Sequence, residues 1–194
     1  MSERPHFEDQ HFRTGEQERP SRKKKGGGLV EYVIILAVSF ALVFGFVRPF
    51  VVEAFWIPSG SMIPTLEIND RVLVNKFIYR FTEPDRGDIV VFQSVEDPKQ
   101  DLIKRVVGLP GDRIAVRSGR LIVNGEPQKE PFTNERFPDR SFFAPTTVPK
   151  NHVFVMGDNR ANSQDSRVFG PLPEKNIEGE AFLRFWPPSR IGLL

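Results

Sequence analysis

Three short polar segments interrupt an otherwise apolar chain and carry side chains that could do chemistry. The first, residues 57–66, places a glycine between Ser59 and Ser61 and contains two prolines that restrict the backbone. Apolar residues flank it on both sides, which predicts a rigid and largely dry setting for the two hydroxyls. A serine hydroxyl in such a setting is a candidate nucleophile, although an isolated Ser-Gly-Ser is more often a simple polar turn.

The second segment, residues 101–112, reads as a strand that carries two adjacent cations, Lys104 and Arg105. Because side chains alternate between the two faces of a strand, one of the two cations must point towards the core. Burial disfavours a charged amine and lowers its pKa, so a buried Lys104 would be a competent general base near neutral pH. On alternation alone, a solvated lysine or a salt bridge to Asp101 is the more frequent outcome.

The third segment, residues 156–167, is dense in hydrogen-bonding side chains. It includes Asp158, Asp165 and Arg167, whose carboxylates and guanidinium could lock a loop by bidentate ion pairs. By itself the segment could also be a solvated loop. It lacks the ligand spacing and the terminal glutamate of an EF-hand calcium loop.

Composition limits the chemistry that these segments could perform. The chain of 194 residues has no cysteine and three histidines, at positions 6, 11 and 152. Thiol nucleophiles, disulfides, cysteine-based metal sites and a three-histidine metal centre are therefore excluded. A Ser–His–Asp arrangement would have to use His152, because the other two histidines lie in a polar tail. We expect neither a metal nor another cofactor.

Charge argues against a nucleic-acid partner. The formal net charge is +2, and residues 1–28 account for all of it, with seven Lys and Arg against five Asp and Glu. Residues 29–194 contain 20 residues of each sign, so they have no basic excess to bind phosphates. We therefore expect no nucleic-acid binding.

The N-terminal part has the pattern of a membrane anchor. Residues 1–28 are polar and predict a disordered tail, whereas residues 29–47 are apolar with Glu31 as the only charge. Nineteen residues at about 1.5 Å each span nearly the roughly 30 Å hydrocarbon layer. A buried core helix and a cleavable signal peptide are the alternatives, but no small-x-small cleavage site follows.

The basic cluster before the anchor predicts its orientation. Five Lys and Arg residues lie between positions 19 and 25, and Arg48 stands nearly alone at the other end. The positive-inside rule then predicts a single-pass protein of the plasma (inner) membrane, with residues 1–28 cytoplasmic and 48–194 on the extracytoplasmic side.

Residues 48–194 predict a mainly β domain that positions the three segments. Short β-branched runs alternate with turn sequences such as Asn124-Gly125 and Ser118-Gly119. We expect a coiled or barrel-like sheet. Residues 126–150 lack a clear period and predict a small irregular insertion. The expected strands cover residues 71–74, 89–92, 102–107, 113–116, 121–123, 153–156 and 181–185.

Together, the stretches PSGSMIPTL, IKRVVGLPGD and GDNRANSQDSRVFGPL closely resemble bacterial type I signal peptidases (peptidase family S26), the membrane-anchored Ser/Lys proteases that remove signal peptides. The three stretches follow the order and spacing of that family after a single N-terminal span. The resemblance implies a serine endopeptidase that acts on exported preproteins at the membrane surface. Ala161 stands where the family often has Asp, which removes one loop charge and leaves the other matched positions in place.

The resemblance also implies a role for each matched residue. Ser61 matches the nucleophile, Lys104 the general base, and Ser59 the residue whose hydroxyl joins the Ser61 backbone N–H in the oxyanion hole. Ser163 matches the serine that holds the lysine amine. Structural roles in the polar loop fall to Asp158, Asp165 and Arg167.

The implied partners are preprotein signal peptides and the lipid bilayer, with the secretion translocon as a further candidate. Two other functions remain open from the residues alone. One is a self-cleaving Ser/Lys protease, which would need a DNA-binding module that the tail does not provide. The other is a membrane-tethered β module that binds exported polypeptides without cutting them, in which Ser61 and Lys104 would be replaceable.

Overall fold

The structure is a computed structural model that describes residues 28–47, 51–133 and 138–194. Except for Gly28, the predicted tail over residues 1–28 lies outside the described residues. Backbone contacts divide the chain into two compact units, Met1–Val38 and Ser39–Leu194.

The apolar N-terminal segment forms helix α1 (Leu29–Leu42), and a π-helical turn follows over Val43–Val47. Glu31 lies in the first turn of α1. Side chains at positions 29–45 are all exposed. Among the described residues, no helix is both long enough and apolar enough to cross a membrane. The sequence prediction of a transmembrane helix over residues 29–47 therefore stays a prediction.

The remaining described chain consists of twelve strands, one short helix and four 3₁₀ turns, at Ile78–Arg80, Arg160–Asn162, Glu174–Asn176 and Pro188–Arg190. The short helix is α2 (Ser166–Phe169). In chain order the strands are β1 (Val52–Trp56), β2 (Arg71–Asn75), β3 (Ile89–Gln93), β4 (Asp101–Gly108), β5 (Arg113–Arg117), β6 (Arg120–Val123), β7 (Glu126–Pro127), β8 (Phe143–Thr147), β9 (His152–Met156), β10 (Leu172–Pro173), β11 (Ile177–Trp186) and β12 (Gly192–Leu193).

Within residues 51–133 and 138–194, eight strands form a large antiparallel sheet and four form a small one. The large sheet has the order β1-β2-β11-β3-β4-β9-β10, with β12 added to β11. The small sheet has the order β7-β6-β5-β8. Strand β4 lies between β3 and β9, which places its side chains in the interior of the large sheet.

Three apolar clusters pack around these sheets and bury β4 on both faces. Ile103 belongs to a cluster with residues of β2 and of the loop after β1, whereas Val107 packs with the small sheet. Val106 joins a third cluster with β3 and β9. Because a strand covered on both faces is apolar at nearly every position, its two cations lie in unusually dry surroundings.

The hairpin between β5 and β6 uses the turn residues that the sequence predicted. Ser118 and Gly119 have φ values of 50° and 75°, as a two-residue type I′ turn requires. A β-carbon at position 119 would also lie 1.9 Å from the backbone oxygen of Asp139, so only glycine fits there. This contact brings the chain before β8 against the turn.

The mainly β class and all seven predicted strands are confirmed. Closure into a barrel was a wrong expectation, because β1 and β10 form the two ends of the large sheet in the described chain. Residues 126–150, expected to be irregular, contain β7 and β8, and β8 pairs with β5. The sequence offers little sign of β8, since three of its five positions, Pro145, Thr146 and Thr147, obscure the alternation.

Candidate active site

Ser61 lies in the loop between β1 and β2, and the loop is fixed at its base by the core. Ile57, Met62 and Leu66 are buried in the first apolar cluster. The Ile57 N–H donates to the Asp70 carbonyl at 2.9 Å, and the Asn69 N–H donates back to the Ile57 carbonyl at 2.9 Å. These contacts hold the serine in place.

Lys104 extends from β4 to meet this serine. Its amine nitrogen lies 2.9 Å from Ser61 Oγ and 2.9 Å from the Ile103 carbonyl oxygen. Lys104 is 3% exposed and Ser61 is 8% exposed. The two residues are 43 positions apart in sequence, and the fold brings them into direct hydrogen-bond contact. Activation of a hydroxyl nucleophile by a neighbouring base would require a contact of this kind.

Burial lowers the pKa of Lys104 from its ordinary value of 10.5 to about 8. The cause is the loss of hydration of the charged amine, which the negative charges of Asp165 and Asp158 offset only in part. A substantial fraction of the amine is therefore neutral near physiological pH, and in that form its lone pair can accept the Ser61 proton.

Ser59 lies on the same loop, with its hydroxyl oxygen 3.5 Å from that of Ser61. Ser59 is exposed, in contrast to Ser61. Its side chain therefore borders the reactive hydroxyl from the open side, where a substrate carbonyl would arrive. This placement agrees with a donor to a developing oxyanion.

An ion pair and a hydrogen bond tie the segment between β9 and α2 to the strand of Lys104 and to the loop of Ser61. Asp158 is fully buried and accepts two hydrogen bonds from the Arg105 guanidinium, at 2.9 and 2.8 Å. The same carboxylate accepts from the Thr65 hydroxyl at 2.6 Å. Asp158 thus links the strand that carries Lys104 to the loop that carries Ser61.

A second ion pair closes the segment on itself. Asp165 accepts from two guanidinium nitrogens of Arg167, both at 2.9 Å, and from the Gly157 N–H at 3.1 Å. Arg167 also reaches Asp139, at 2.7 Å. The bidentate pairing that the sequence suggested is confirmed for Asp165 with Arg167.

Ser163 differs from the other matched residues. Its hydroxyl oxygen is buried and has no hydrogen-bond partner in the described part of the chain, so no bond to the Lys104 amine is present. Gly157 packs directly against it, since a β-carbon there would lie 2.3 Å from Ser163 Oγ and 2.5 Å from the Ser61 carbonyl oxygen. The role that the resemblance implies for Ser163 stays a prediction.

His152, the alternative base, is engaged elsewhere. Its Nδ1 lies 2.9 Å from the Lys150 carbonyl oxygen, at the start of β9. Among the described residues, the hydrogen-bond partners of the Ser61 hydroxyl are Lys104 and Ser59. A Ser–His–Asp arrangement therefore has no support.

Comparison with known proteins identifies the family of this chain. The profile of the family described as signal peptidase, peptidase S26, matches residues 29–186, which is most of the chain. The chain belongs to this family. It is a serine endopeptidase of signal peptides, and the activity predicted from the sequence is confirmed.

Relatives in the family match over nearly the whole chain. Signal peptidase I of Leptolyngbya laminosa is 43% identical over 185 residues, which cover 92% of this chain and 90% of that protein. Probable signal peptidase I-1 of Synechocystis sp. is 44% identical over 169 residues, 84% of each. A solved signal peptidase I from Enterococcus faecalis V583 has 33% identity and a TM-score of 0.44, covering 51% of this chain and 97% of that one.

Several residues that complete the site in this signal peptidase escaped the sequence analysis. Asn159, Arg160 and Thr65 lie inside the three polar segments, but the contacts that matter reach other parts of the chain. Glu130 and Phe132 lie in the region expected to be irregular, where no periodicity marked them. No local sequence pattern marks Glu130, because its partner Arg160 lies 30 residues away.

Proposed function

We propose that Ser61 is the nucleophile and Lys104 the general base with which this enzyme cleaves signal peptides from exported preproteins. The observation that carries the proposal is the 2.9 Å contact between Lys104 Nζ and Ser61 Oγ, with both residues buried. A neutral amine at this distance can accept the hydroxyl proton as the oxygen attacks.

In the first half of the reaction, Ser61 Oγ bonds to the scissile carbonyl carbon and its proton passes to Lys104. The carbonyl oxygen becomes an oxyanion, which the Ser61 backbone N–H and the Ser59 hydroxyl stabilise. The ammonium of Lys104 then gives its proton to the leaving amine as the peptide bond breaks. The mature protein departs, and the signal peptide remains esterified to Ser61.

In the second half, neutral Lys104 takes a proton from a water molecule that attacks the ester. The tetrahedral intermediate collapses, the proton returns to Ser61 Oγ, and the signal peptide leaves with a new carboxylate. The family resemblance assigns to Ser163 the task of holding the amine during these transfers, and it assigns to Asp158, Asp165 and Arg167 the task of holding the loop. The buried ion pairs of those three residues support this structural assignment.

We further propose that residues 29–47 anchor the enzyme in the plasma membrane, with the tail over residues 1–28 cytoplasmic and residues 48–194 extracytoplasmic. The apolar composition of residues 29–47, their inclusion in the family match and the preceding basic cluster support this topology. Confinement of enzyme and preprotein to one bilayer would raise their encounter rate, and the translocon is the candidate source of substrate.

Trp56 is the best candidate for a side chain of the protease domain that contacts lipid. It is 58% exposed, whereas Ile57 is buried and Phe55 packs on the core. Trp186, 48% exposed, lies in the same row of the sheet, since both tryptophans pair with Arg71. Amphipathic indoles beside a cation favour the interfacial zone of a bilayer.

The decisive experiment incubates the detergent-solubilised enzyme with one secretory precursor and locates the cut by mass. Ser61→Ala should abolish cleavage while the thermal unfolding of the protein stays unchanged.

Ser59→Ala should lower kcat by about 10²–10³-fold at nearly constant KM, the usual loss for one oxyanion donor. Wild-type activity should rise with pH through an apparent pKa near 8. Normal cleavage by Ser61→Ala would reject the nucleophile.

The topology is tested separately by adding protease to intact spheroplasts. The body of the protein should be degraded and the N-terminal tail spared. A body that stays shielded contradicts the proposed orientation and leaves the catalytic assignment untouched.

A further inference from the structure

The loop that carries Ser61 is held by a residue to which neither motif matching nor the catalytic chemistry assigns a role, Asn159. Its side-chain nitrogen donates to the Gly60 carbonyl at 2.9 Å, and its backbone N–H donates to the Ser61 carbonyl at 3.0 Å. Asn159 is 9% exposed, and the bond to Gly60 is the only side-chain hydrogen bond it makes to the described residues. Two consecutive carbonyls are thus held by one residue.

The Gly60 carbonyl belongs to the same peptide group as the Ser61 N–H. A peptide group is planar and trans, so its C=O and N–H point in opposite directions along one plane. Fixing the direction of the carbonyl therefore fixes the direction of the N–H. A hydrogen bond to the carbonyl also polarises the group and makes its N–H a stronger donor.

Asn159 is in turn held by an ion pair at the next residue. The Arg160 guanidinium binds both carboxylate oxygens of Glu130, at 2.9 and 2.5 Å, and its Nε donates to the Gly157 carbonyl at 2.9 Å. Side-chain exposure is 4% for Arg160 and 10% for Glu130. The bond from Nε to the Gly157 carbonyl closes residues 157–160 into a turn around Asn159, and the bidentate pair fixes the guanidinium that makes this bond.

Burying a charge pair of this kind gains little net stability, because both ions lose hydration. A buried bidentate pair does fix geometry, since a guanidinium and a carboxylate meet in a single planar arrangement. The ring of Phe132, two residues after Glu130, lies 6.0 Å from the Arg160 guanidinium carbon and 4.2 Å from that of Arg105. Glu130 and Phe132 together hold the chain after β7 against Arg160 and Arg105.

We propose that Asn159 is a positioning residue that aims the Ser61 N–H at the oxyanion, and that Glu130 holds Asn159 in place through Arg160. The inference rests on the proposed role of Ser61, and it adds the means by which one of the two oxyanion donors is oriented before substrate arrives. Neither Asn159 nor Glu130 touches the reacting atoms.

The test compares Asn159→Ala and Asn159→Asp with the matched variant Asn176→Ala. Asn176 also donates from its side chain to a backbone carbonyl, that of Gln93, far along the sequence from the catalytic segments. Both asparagine variants at position 159 should lower kcat by about tenfold to a hundredfold, less than the loss of an oxyanion donor itself. KM should stay within about twofold, and Asn176→Ala should leave kcat unchanged.

Three further results, taken together, would distinguish this positioning role of Asn159 from a purely structural one. The pH at which activity rises should be the same in Asn159→Ala as in the wild type, because the Lys104 contacts are untouched. A signal-peptide aldehyde, which forms a tetrahedral adduct with Ser61, should bind more weakly by the same factor as kcat falls. Glu130→Gln should lower kcat severalfold, and adding it to Asn159→Ala should cost little more.

Wild-type kcat in both Asn159 variants, or a rise in KM alone, overturns the inference. So does a fully additive Glu130→Gln, which would show that its effect does not pass through Asn159. Asn159→Asp preserves size, so it keeps the test valid if Asn159→Ala unfolds. These outcomes are distinct from failure of the catalytic assignment, which appears as cleavage by Ser61→Ala with every position-159 effect still measurable.

Discussion

Lys104 and Arg105 are adjacent cations on one strand, and the structure treats them in opposite ways. Both are buried on β4, where successive side chains alternate between the two faces of the strand. Arg105 meets the fully buried Asp158 through two hydrogen bonds and also donates to the Gly87 carbonyl at 2.8 Å. Lys104 has no carboxylate in hydrogen-bond contact in the described residues, only the Ser61 hydroxyl and the Ile103 carbonyl.

The difference separates a structural charge from a reactive group. Pairing with a carboxylate stabilises a cation and makes it inert, whereas desolvation without a partner favours the neutral amine. Of these two cations, the proposed general base is the one that has no carboxylate in hydrogen-bond contact among the described residues. Asp158 and Asp165 act on Lys104 only through longer-range attraction, which limits the fall of its pKa.

The largest effect is expected from a permanently charged side chain at position 104, which would remove the difference between the two cations. Lys104→Arg keeps the cation and removes its ability to lose a proton, so kcat should fall by at least about 10⁴-fold, as for loss of one member of a catalytic pair. Steady-state cleavage of a precursor measures this. Arg105→Lys is the control: it loses the bidentate contact with Asp158 and should lower stability, but its kcat should fall far less than that of Lys104→Arg, because Arg105 takes no part in proton transfer. A Lys104→Arg enzyme with near-normal kcat would place the base elsewhere.

The ion pair of Arg105 should instead make the stability of the protein sensitive to loss of the Asp158 charge. Asp158→Asn removes the charge that compensates Arg105 at almost constant shape, and an unpaired buried charge costs about 3–5 kcal/mol. Chemical denaturation of the variant measures the free energy of unfolding. Lys104→Met, which deletes the other buried cation, should show no such loss near neutral pH. Equal destabilisation by the two changes would remove the distinction between the faces.

The pH dependence of stability sharpens the same contrast. The pKa of Lys104 is about 8 in the folded chain and 10.5 when unfolded, so the unfolded state binds more protons between these values. The amine therefore opposes folding fully below about pH 8, by about 3 kcal/mol, and this cost disappears as the pH rises to 10.5. Lys104→Met should be more stable than the wild type at pH 7, and the gap should close by pH 10.5. A gap that does not change with pH contradicts the lowered pKa.

The smallest expected change in stability concerns the cation–π contact between Phe132 and Arg105. Phe132→Leu keeps an apolar side chain and removes the ring whose centroid is 4.2 Å from the Arg105 guanidinium, which should cost about 1 kcal/mol of stability. Thermal unfolding should show it, and Phe81→Leu, at a ring that is 74% exposed, should change little. An equal shift in both variants would assign the loss to leucine itself.

The sequence predicted the strand that carries Lys104 but misjudged how its faces are used. Alternation places the two cations on opposite faces of the strand. Because only one face had to be core, the pattern predicted one buried cation. The structure buries both, because β4 is covered by separate apolar clusters on its two faces. Layering of this kind depends on contacts between distant segments and leaves no local pattern.

The same limit explains what was found and missed at the site. Ser61 and Lys104 were identified because short motifs surround each of them. Glu130 was not, since its partner lies 30 residues away and its own segment has no periodicity. Ser163 shows the reverse case: a motif assigned it a contact with the amine, and its hydroxyl remains without a partner among the described residues.

Gly157 carries a consequence for how this protein can vary. A β-carbon there would collide with the backbone oxygen of Ser61 as well as with Ser163, and a backbone oxygen cannot swing aside as a side chain can. In a saturation library selected for secretion, position 157 should therefore be as intolerant as position 61, although glycine contributes no functional group. The lack of space for a side chain would by itself prevent substitution at position 157 during evolution. A ranking of positions by mutational tolerance would therefore mark this glycine as essential, although it takes no part in the chemistry.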